Sequence, residues 1–390
     1  MPRLALDTTT CRAGRPSADG RSRNVPFIRS TFPPAFASTS IPSISRRCVG
    51  ATAIAAVAAS TGALTFLQPS KRASSSITRD VMASVTTPAA SSSSSSPVAG
   101  SPANLDLLVV GPGVLGSVLA KGWLETVPGS TATGLTNSDR SHERLRAMGL
   151  TPATRQSLSA DRKWSFVAFS APPSGSKDYV ADVKAALQLW DGTGSFLFTS
   201  SMSVCSEDSG GEVTDENCPL VPIGAGASTD KLLGAEAATL EAGGNVLRLV
   251  GLYHANRGAH TYFIKVGTVP RPGAYVVNLL HYEDAAGMGA AILRGDGSGP
   301  FRGRVFLGAD GNPVTFEDMV ESCFNSGVFP RTAVTFTGSL PEGVSSGRGK
   351  LVANETSRNA LGGWRPRYPS FVEFMAAGGK DFYNTSGLVF

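Results

Sequence analysis

The chain has 390 residues, 41% of them hydrophobic and 17% charged; this is near the globular average, enough for one large or two ordinary domains, and unlike a disordered or fibrous protein. The formal charge of +5 is unevenly placed: residues 1–103 hold eleven Lys/Arg against three acids, a surplus of +8, and the remainder holds 24 basic and 27 acidic residues, or −3. The sequence pI of 9.0 therefore comes from the N-terminal segment, and a mildly acidic remainder gives no electrostatic reason to expect a nucleic acid partner.

Residues 1–103 read as targeting sequence. They are rich in Ser, Thr, Ala and Arg, poor in acids, and end in the low-complexity linker "SSSSSSPVAGSPAN". The simplest reading is a cleaved organellar presequence, directing the chain to a plastid, with the stroma favoured over thylakoid lumen or mitochondrion. Val49–Gln68 is uncharged over 20 residues, but it is mostly Ala, Gly, Thr and Ser, so a stable membrane anchor is not expected. Arg46-Arg47 ahead of it also matches the start of a twin-arginine export signal. Of the five cysteines, Cys11 and Cys48 fall in this segment. Cys205, Cys218 and Cys323 share no metal-ligand spacing, which implies reduced thiols and no metal site, with a Cys205–Cys218 redox pair as the alternative.

Taken in chain order, the remainder alternates strands and helices. Leu105–Val110 is a short apolar run of buried-strand type, and Val114–Trp123 has helical spacing. Strand Thr131–Thr136 and helix Arg140–Met148 follow, then strand Ser165–Ser170, helix Tyr179–Trp190 and strand Ser195–Thr199. Helix Thr229–Ala242 leads to the strand "NVLRLVGLY" from Asn245. The segment 262–273, "YFIKVGTVPRPG", is expected to overhang the cleft as a lid or long surface loop. "YVVNLLHYEDAAGMGAAILRG" gives a strand and the helix Glu283–Leu293. "GRVFLGADGNPVTFEDMVESCFNSG" gives a strand, turn and helix, and two short helices around a Pro-bracketed segment close the chain. This alternation predicts an α/β doubly wound parallel sheet, a Rossmann fold over 104–390, with a smaller C-terminal substrate lobe at roughly 255–390.

Gly111-Pro112-Gly113-Val114-Leu115-Gly116 lies between the first strand and first helix, the placement a dinucleotide-binding turn requires. Gly111 permits the tight turn. Gly113 lets the backbone approach a pyrophosphate, and Gly116 lets the helix pack close on the strand. The helix N-terminus then offers free N–H groups to the anion. The second strand ends in Thr136-Asn137-Ser138-Asp139-Arg140, with no acid at the tip for a ribose 2′-hydroxyl. Small polar groups with Arg140 nearby suit a 2′-phosphate better, so NADP is expected ahead of NAD.

With "FTSSMSV" at 198–204, "LRLVGLYHANRGAH" at 247–260, "NLLHYEDAA" at 278–286 and the tail "GKLVANETSRNALGGWRPRYPSF", these motifs make roughly residues 105–377 resemble the extended and atypical short-chain dehydrogenases/reductases. This is the NAD-dependent epimerase/dehydratase-like group, including its plant plastid members. The resemblance implies an oxidoreductase, epimerase or dehydratase acting on a small carbonyl or sugar-nucleotide substrate, in a chain that pairs helices as a homodimer. It implies cofactor contacts at Gly111–Gly116, Thr136, Asn137, Arg140, Ser170, Ala171, Pro172, Ser200 and Lys231. The family's catalytic Tyr-x-x-x-Lys maps onto "GAGASTDKLLGAEAATL", where Lys231 matches the lysine and Ala227 stands at the tyrosine. Alanine transfers no proton, so either another group does that work or the chain is a non-catalytic dinucleotide sensor or assembly protein. Ser201 and His281, with Ser200, Ser203, Ser228 and Tyr282, are the substitutes; His281 would be best if it faces the cofactor, because imidazole titrates near neutrality.

Overall fold

The computed structural model describes residues 104–390 apart from 160, 340–342, 344 and 385–390; residues 1–103, with the expected targeting sequence and Val49–Gln68, lie outside the described residues. The first half runs β1 (Leu107–Val110), α1 (Val114–Thr126), β2 (Ala132–Thr136), α2 (His142–Ala147), β3 (Thr151–Thr154), β4 (Phe166–Phe169), α3 (Tyr179–Leu187) and β5 (Phe196–Ser201). Then come β6 (Ser209–Val213), α4 (Ala227–Glu241), β7 (Asn245–Leu249), β8 (Gly251–Tyr253), α5 (Ala259–Val266), β9 (Thr268–Val269), β10 (Val276–Val277), β11 (Leu279–His281) and α6 (Tyr282–Arg294). The chain finishes with β12 (Val305–Gly308), β13 (Val314–Thr315), α7 (Phe316–Asn325), β14 (Thr335–Phe336), β15 (Gly349–Val352), α8 (Glu355–Ala360) and α9 (Phe371–Ala376).

Seven strands form one parallel sheet in the order β12-β7-β5-β4-β1-β2-β3. Successive side chains of a strand point to opposite faces. In β1, Leu107 and Val109 accordingly enter one core with Val118, Leu119 and Trp123 of α1 and Met288 and Ile292 of α6. Leu108 and Val110 enter the other, with Val183 of α3 and Leu232 and Ala235 of α4. Both faces are covered, so β1 reads as a continuous apolar run. Trp123 is fully buried, worth roughly 2–3 kcal/mol of apolar transfer, and its Nε1–H donates to the Leu105 carbonyl at 3.0 Å. The chain leaves β1 toward β2 and β3, then returns to place β4 on the other side. The switch point where a ligand crevice opens thus lies at the carboxyl ends of β1 and β4.

Three segments depart from the sequence reading: β3, "NVLRLVGLY" and 262–273. β3, "TPAT", is a strand that polar content and Pro152 concealed; it sits at the sheet edge, where a missing N–H is tolerated. "NVLRLVGLY" is two strands, because after Val250 the chain leaves the large sheet and β8 pairs with β11 instead. In the C-terminal third, β12 completes the large sheet and α6 packs on α1, while β10, β13 and β15 join β6 in a four-stranded sheet. Segment 262–273 is not an overhanging loop. Most of it folds into α5 and β9, and Phe263, Ile264 and Val269 belong to a third core with Tyr253, Phe316 and Phe371.

Candidate functional site

The three glycines of the first turn do three different things. Gly111 has φ +76°, a backbone conformation that favours glycine, and a Cβ there would lie 2.5 Å from the Ala171 Cα. Gly116 faces Val109, whose Cγ1 would be 2.8 Å from an added Cβ, so α1 rests directly on β1. Gly113 has ordinary φ −72°, and a Cβ built on it meets nothing within 4 Å. The open side of Gly113 faces the crevice. It is also the N-cap of α1 without a side-chain cap, so the first N–H groups of the helix remain for an anion. Val114 is buried and lines neither of the flanking cavities, and Gly116 serves packing; of this turn, Gly111, Pro112, Gly113 and Leu115 line them.

On the β2 side of the turn lies a cavity of about 610 Å³. Its lining includes the expected Thr136, Asn137 and Arg140, with Ser170 and Pro172 across from them. Ser138, from the same expected Thr136–Arg140 stretch, lines it as well, and the sequence reading missed Ser141 and Arg144, which line it too. Arg144 stands four residues beyond Arg140, a spacing that brings helical side chains to one face, so this pair was detectable. Burial lowers the Arg144 pKa. Thr136 is held in place: its Oγ1 donates to the Ala153 carbonyl at 3.2 Å and lies 2.8 Å from His142 Nε2.

On the β5 side lies a second cavity, of about 310 Å³, which shares Ser170 and Pro172 with the first. Leu115, Ala171, Ser200, Ser201 and Ser228 line it. Ser200 is buried and donates to Glu236 Oε1 at 2.5 Å. Arg248 on β7 completes the network, donating to Glu236 from Nε at 3.1 and 3.2 Å and from Nη2 at 2.7 Å. Burial works to lower the Arg248 pKa, but the hydrogen bond and charge of Glu236 outweigh it and the net shift is upward. Ser201 lines the cavity and accepts from the Ser203 N–H at 3.2 Å.

Ser203 lines the cavity too, whereas His281 and Lys231 are elsewhere. His281 does not face the crevice: it is fully buried among Tyr253, Tyr368 and Phe374, and its Nδ1 accepts from the Glu283 N–H at 3.2 Å. Burial drives its pKa down to about 3, which leaves a neutral ring. An NMR titration is expected to show no His281 step between pH 8 and pH 5; a step near neutrality would mean that solvent reaches it. Lys231 lines neither cavity, and its Nζ donates to the Ser176 carbonyl at 3.0 Å. Ala227 begins α4, and the residues of that helix facing the cavity are Ser228 and Leu232. Tyr179 also lines the cavity, but its hydroxyl donates to the Ala171 carbonyl at 2.7 Å and burial raises its pKa, so it stays protonated.

Beyond the β5-side cavity, and sharing Val250 with it, is a chamber of about 210 Å³. Met202, Val250, Phe316, Met319 and Val352 supply apolar walls. Its polar side chains have partners of their own: Tyr275 donates to Asp208 at 2.7 Å, Lys350 to the Cys205 carbonyl at 2.9 Å, and Asn278 to the Lys350 carbonyl at 2.8 Å.

No protein-family model and no curated protein matches this sequence. Solved structures do match in fold. A conserved protein of unknown function from Silicibacter pomeroyi is 23% identical with a TM-score of 0.55, covering 71% of this chain and 99% of its own. An epimerase from Methanothermobacter thermautotrophicus is 14% identical with a TM-score of 0.56, over 70% of this chain and 90% of its own. The dTDP-glucose 4,6-dehydratase of Bacillus anthracis, solved in complex with NAD, is 15% identical with a TM-score of 0.54, over 70% and 94%. The chain therefore has the Rossmann fold seen in structures of epimerases and dehydratases.

Proposed function

We propose that this protein binds a nicotinamide dinucleotide, NADP ahead of NAD, and uses it on a small carbonyl compound with an apolar body. The observation that carries the reading is the open side of Gly113 between two cavities that share Ser170 and Pro172. In this arrangement the N-terminus of α1 and the Gly113 backbone hold the pyrophosphate. Arg140 and Arg144 receive the 2′-phosphate, with Ser138 and Ser141 beside them. The fold of a dehydratase solved with NAD supports a nicotinamide dinucleotide in this crevice. Each arginine is expected to contribute about tenfold to the preference for NADPH over NADH, or roughly 1.4 kcal/mol. Arg140→Ala and Arg144→Ala titrations check this; an unchanged NADPH:NADH ratio in both would reassign the cavity to NAD.

The bound cofactor would donate or accept a hydride. The chain's own part is to position and to hold a proton. Ser201 and Ser228 present hydroxyls to the β5-side cavity, and Ser200 keeps its proton in the bond to Glu236. The adjoining chamber of about 210 Å³, walled by Met202, Phe316 and Met319, favours a compact apolar substrate over a sugar nucleotide. Incubation with NADPH and a panel of short-chain and aromatic aldehydes and ketones tests this, with oxidation of NADPH as the expected result.

A second reading, binding without turnover, is favoured by Ala227 at the start of α4 and by the engagement of Lys231 with Ser176. NADPH binding with no consumption across that panel would select it. We also propose a plastid location, stroma favoured, supported by the acid-poor, Ser- and Arg-rich residues 1–103.

A further inference from the structure

Cys205 ends the turn after β5, and Cys218 follows β6, so a hairpin-like excursion separates two thiols that the fold brings back together. Residues 204–206 and 219–221 run antiparallel: the Ser206 N–H donates to the Pro219 carbonyl and the Val221 N–H to the Val204 carbonyl, both at 2.8 Å, with Cys205 bridged to Leu220. Cys218 is two residues from Leu220 and returns to the same face. Both thiols are free. Each is the other's side-chain hydrogen-bond partner, and Arg248 makes a side-chain hydrogen bond to Cys218. Cys205 also receives the Glu207 backbone N–H and feels the charge of Lys350 and Arg248. Cys205 is buried; Cys218 is half-buried between exposed Asn217 and Pro219. This differs from Cys323, which is buried in an apolar core.

We propose that Cys205 and Cys218 are a reversible dithiol–disulfide pair, oxidised by exchange with a small disulfide or with a disulfide protein. The hydrogen bond from Cys218 and the nearby cations lower the Cys205 pKa against its burial, and the same contact raises that of Cys218, so one proton is shared between the two sulfurs. When that proton rests on Cys205, the more accessible Cys218 attacks the incoming disulfide and releases one thiolate. Cys205 then gives up its proton, attacks the Cys218 sulfur and expels the second thiolate. Starting from one thiol and one thiolate, the two cysteines lose two electrons and one proton, and the incoming disulfide leaves as two thiolates, which take up that proton and one from water. Closing the sulfurs to bonding distance, about 2.05 Å, requires Cys218 to move, and its exposed neighbours permit this.

The pair lies on the network behind the crevice, since Arg248 holds both Cys218 and Glu236, and Glu236 holds Ser200. Oxidation withdraws the Cys218 sulfur from Arg248 and is felt at Ser200.

The test equilibrates the folded full chain with oxidised glutathione, blocks remaining thiols, and maps cross-links after cleavage at the acidic residues between 206 and 217. That cleavage leaves two peptides joined only by the disulfide. The expected product is a Cys205–Cys218 link, reversed by dithiothreitol, absent in Cys218→Ser, and replaced in Cys205→Ser by a lasting glutathione adduct on Cys218. A urea-unfolded control should form this link less completely, with only the preference its short sequence separation gives, and alongside links to Cys11, Cys48 and Cys323. Alkylatable thiols at both positions, or lasting glutathione adducts on wild-type Cys218, would overturn the assignment. The coupling rests on the dinucleotide reading: NADPH affinity should differ several-fold between reduced and oxidised wild type and not respond to oxidant in Cys218→Ser. Equal affinities would remove the coupling, and absence of NADPH binding to either form would count against the dinucleotide reading while the cross-link map still decides the pair.

Discussion

Gly113→Trp is expected to abolish NADPH binding while leaving the fold intact. Gly113 has φ −72° and a Cβ built on it meets nothing within 4 Å, so a side chain can start there without backbone strain. The effect of the substitution on stability should stay near the roughly 1 kcal/mol that losing a favourable N-cap residue costs. The indole would fill the approach to the α1 N-terminus, so at least a 100-fold loss of affinity is expected, or roughly 2.7 kcal/mol. Gly111→Val is the contrast: φ is +76° and Ala171 stands 2.5 Å from the new Cβ, so folding itself should suffer. Calorimetric titration and thermal unfolding of both variants separate the two kinds of glycine. Normal NADPH binding by Gly113→Trp would remove the pyrophosphate from this turn.

Glu236→Ala should be the costliest single change near the site. It strips Arg248 of three hydrogen bonds between 2.7 and 3.2 Å and leaves a buried guanidinium without its carboxylate. Breaking one partner of such a pair typically costs about 3–5 kcal/mol, whereas replacing both with apolar residues of similar volume is often neutral. Denaturant unfolding should therefore show a large loss in Glu236→Ala and recovery of most of it in Glu236→Leu/Arg248→Met. A loss below about 1 kcal/mol in the single variant would mean that water reaches Arg248.

Local chemistry made the crevice legible. Gly111, Gly113 and Gly116 have distinct steric duties that follow from their spacing in a strand–turn–helix unit, and each duty is visible in what an added Cβ would meet. Arg140 could be placed because β2 must end beside the turn. Arg144 follows from Arg140 by helical spacing, yet it was missed because the helix was not carried forward as a face of the site. What sequence could not supply was orientation. His281 lies in a segment that resembles one closing a substrate site, but β11 pairs with β8 outside the large sheet and turns the ring into an aromatic core. Lys231 occupies the expected place in sequence, yet Ser228 and Leu232 are the residues of its helix that face the cavity. The Ser200–Glu236–Arg248 network spans three elements and carries no local signature. β3 was hidden by Pro152, which only an edge strand accommodates.

Calorimetric titration of the full chain with NADPH and NADH decides whether the crevice on either side of Gly113 holds a nicotinamide dinucleotide. Saturable one-to-one binding in the micromolar range is expected, with NADPH the tighter ligand. Absence of heat and of fluorescence change with both forms at millimolar concentration would contradict it.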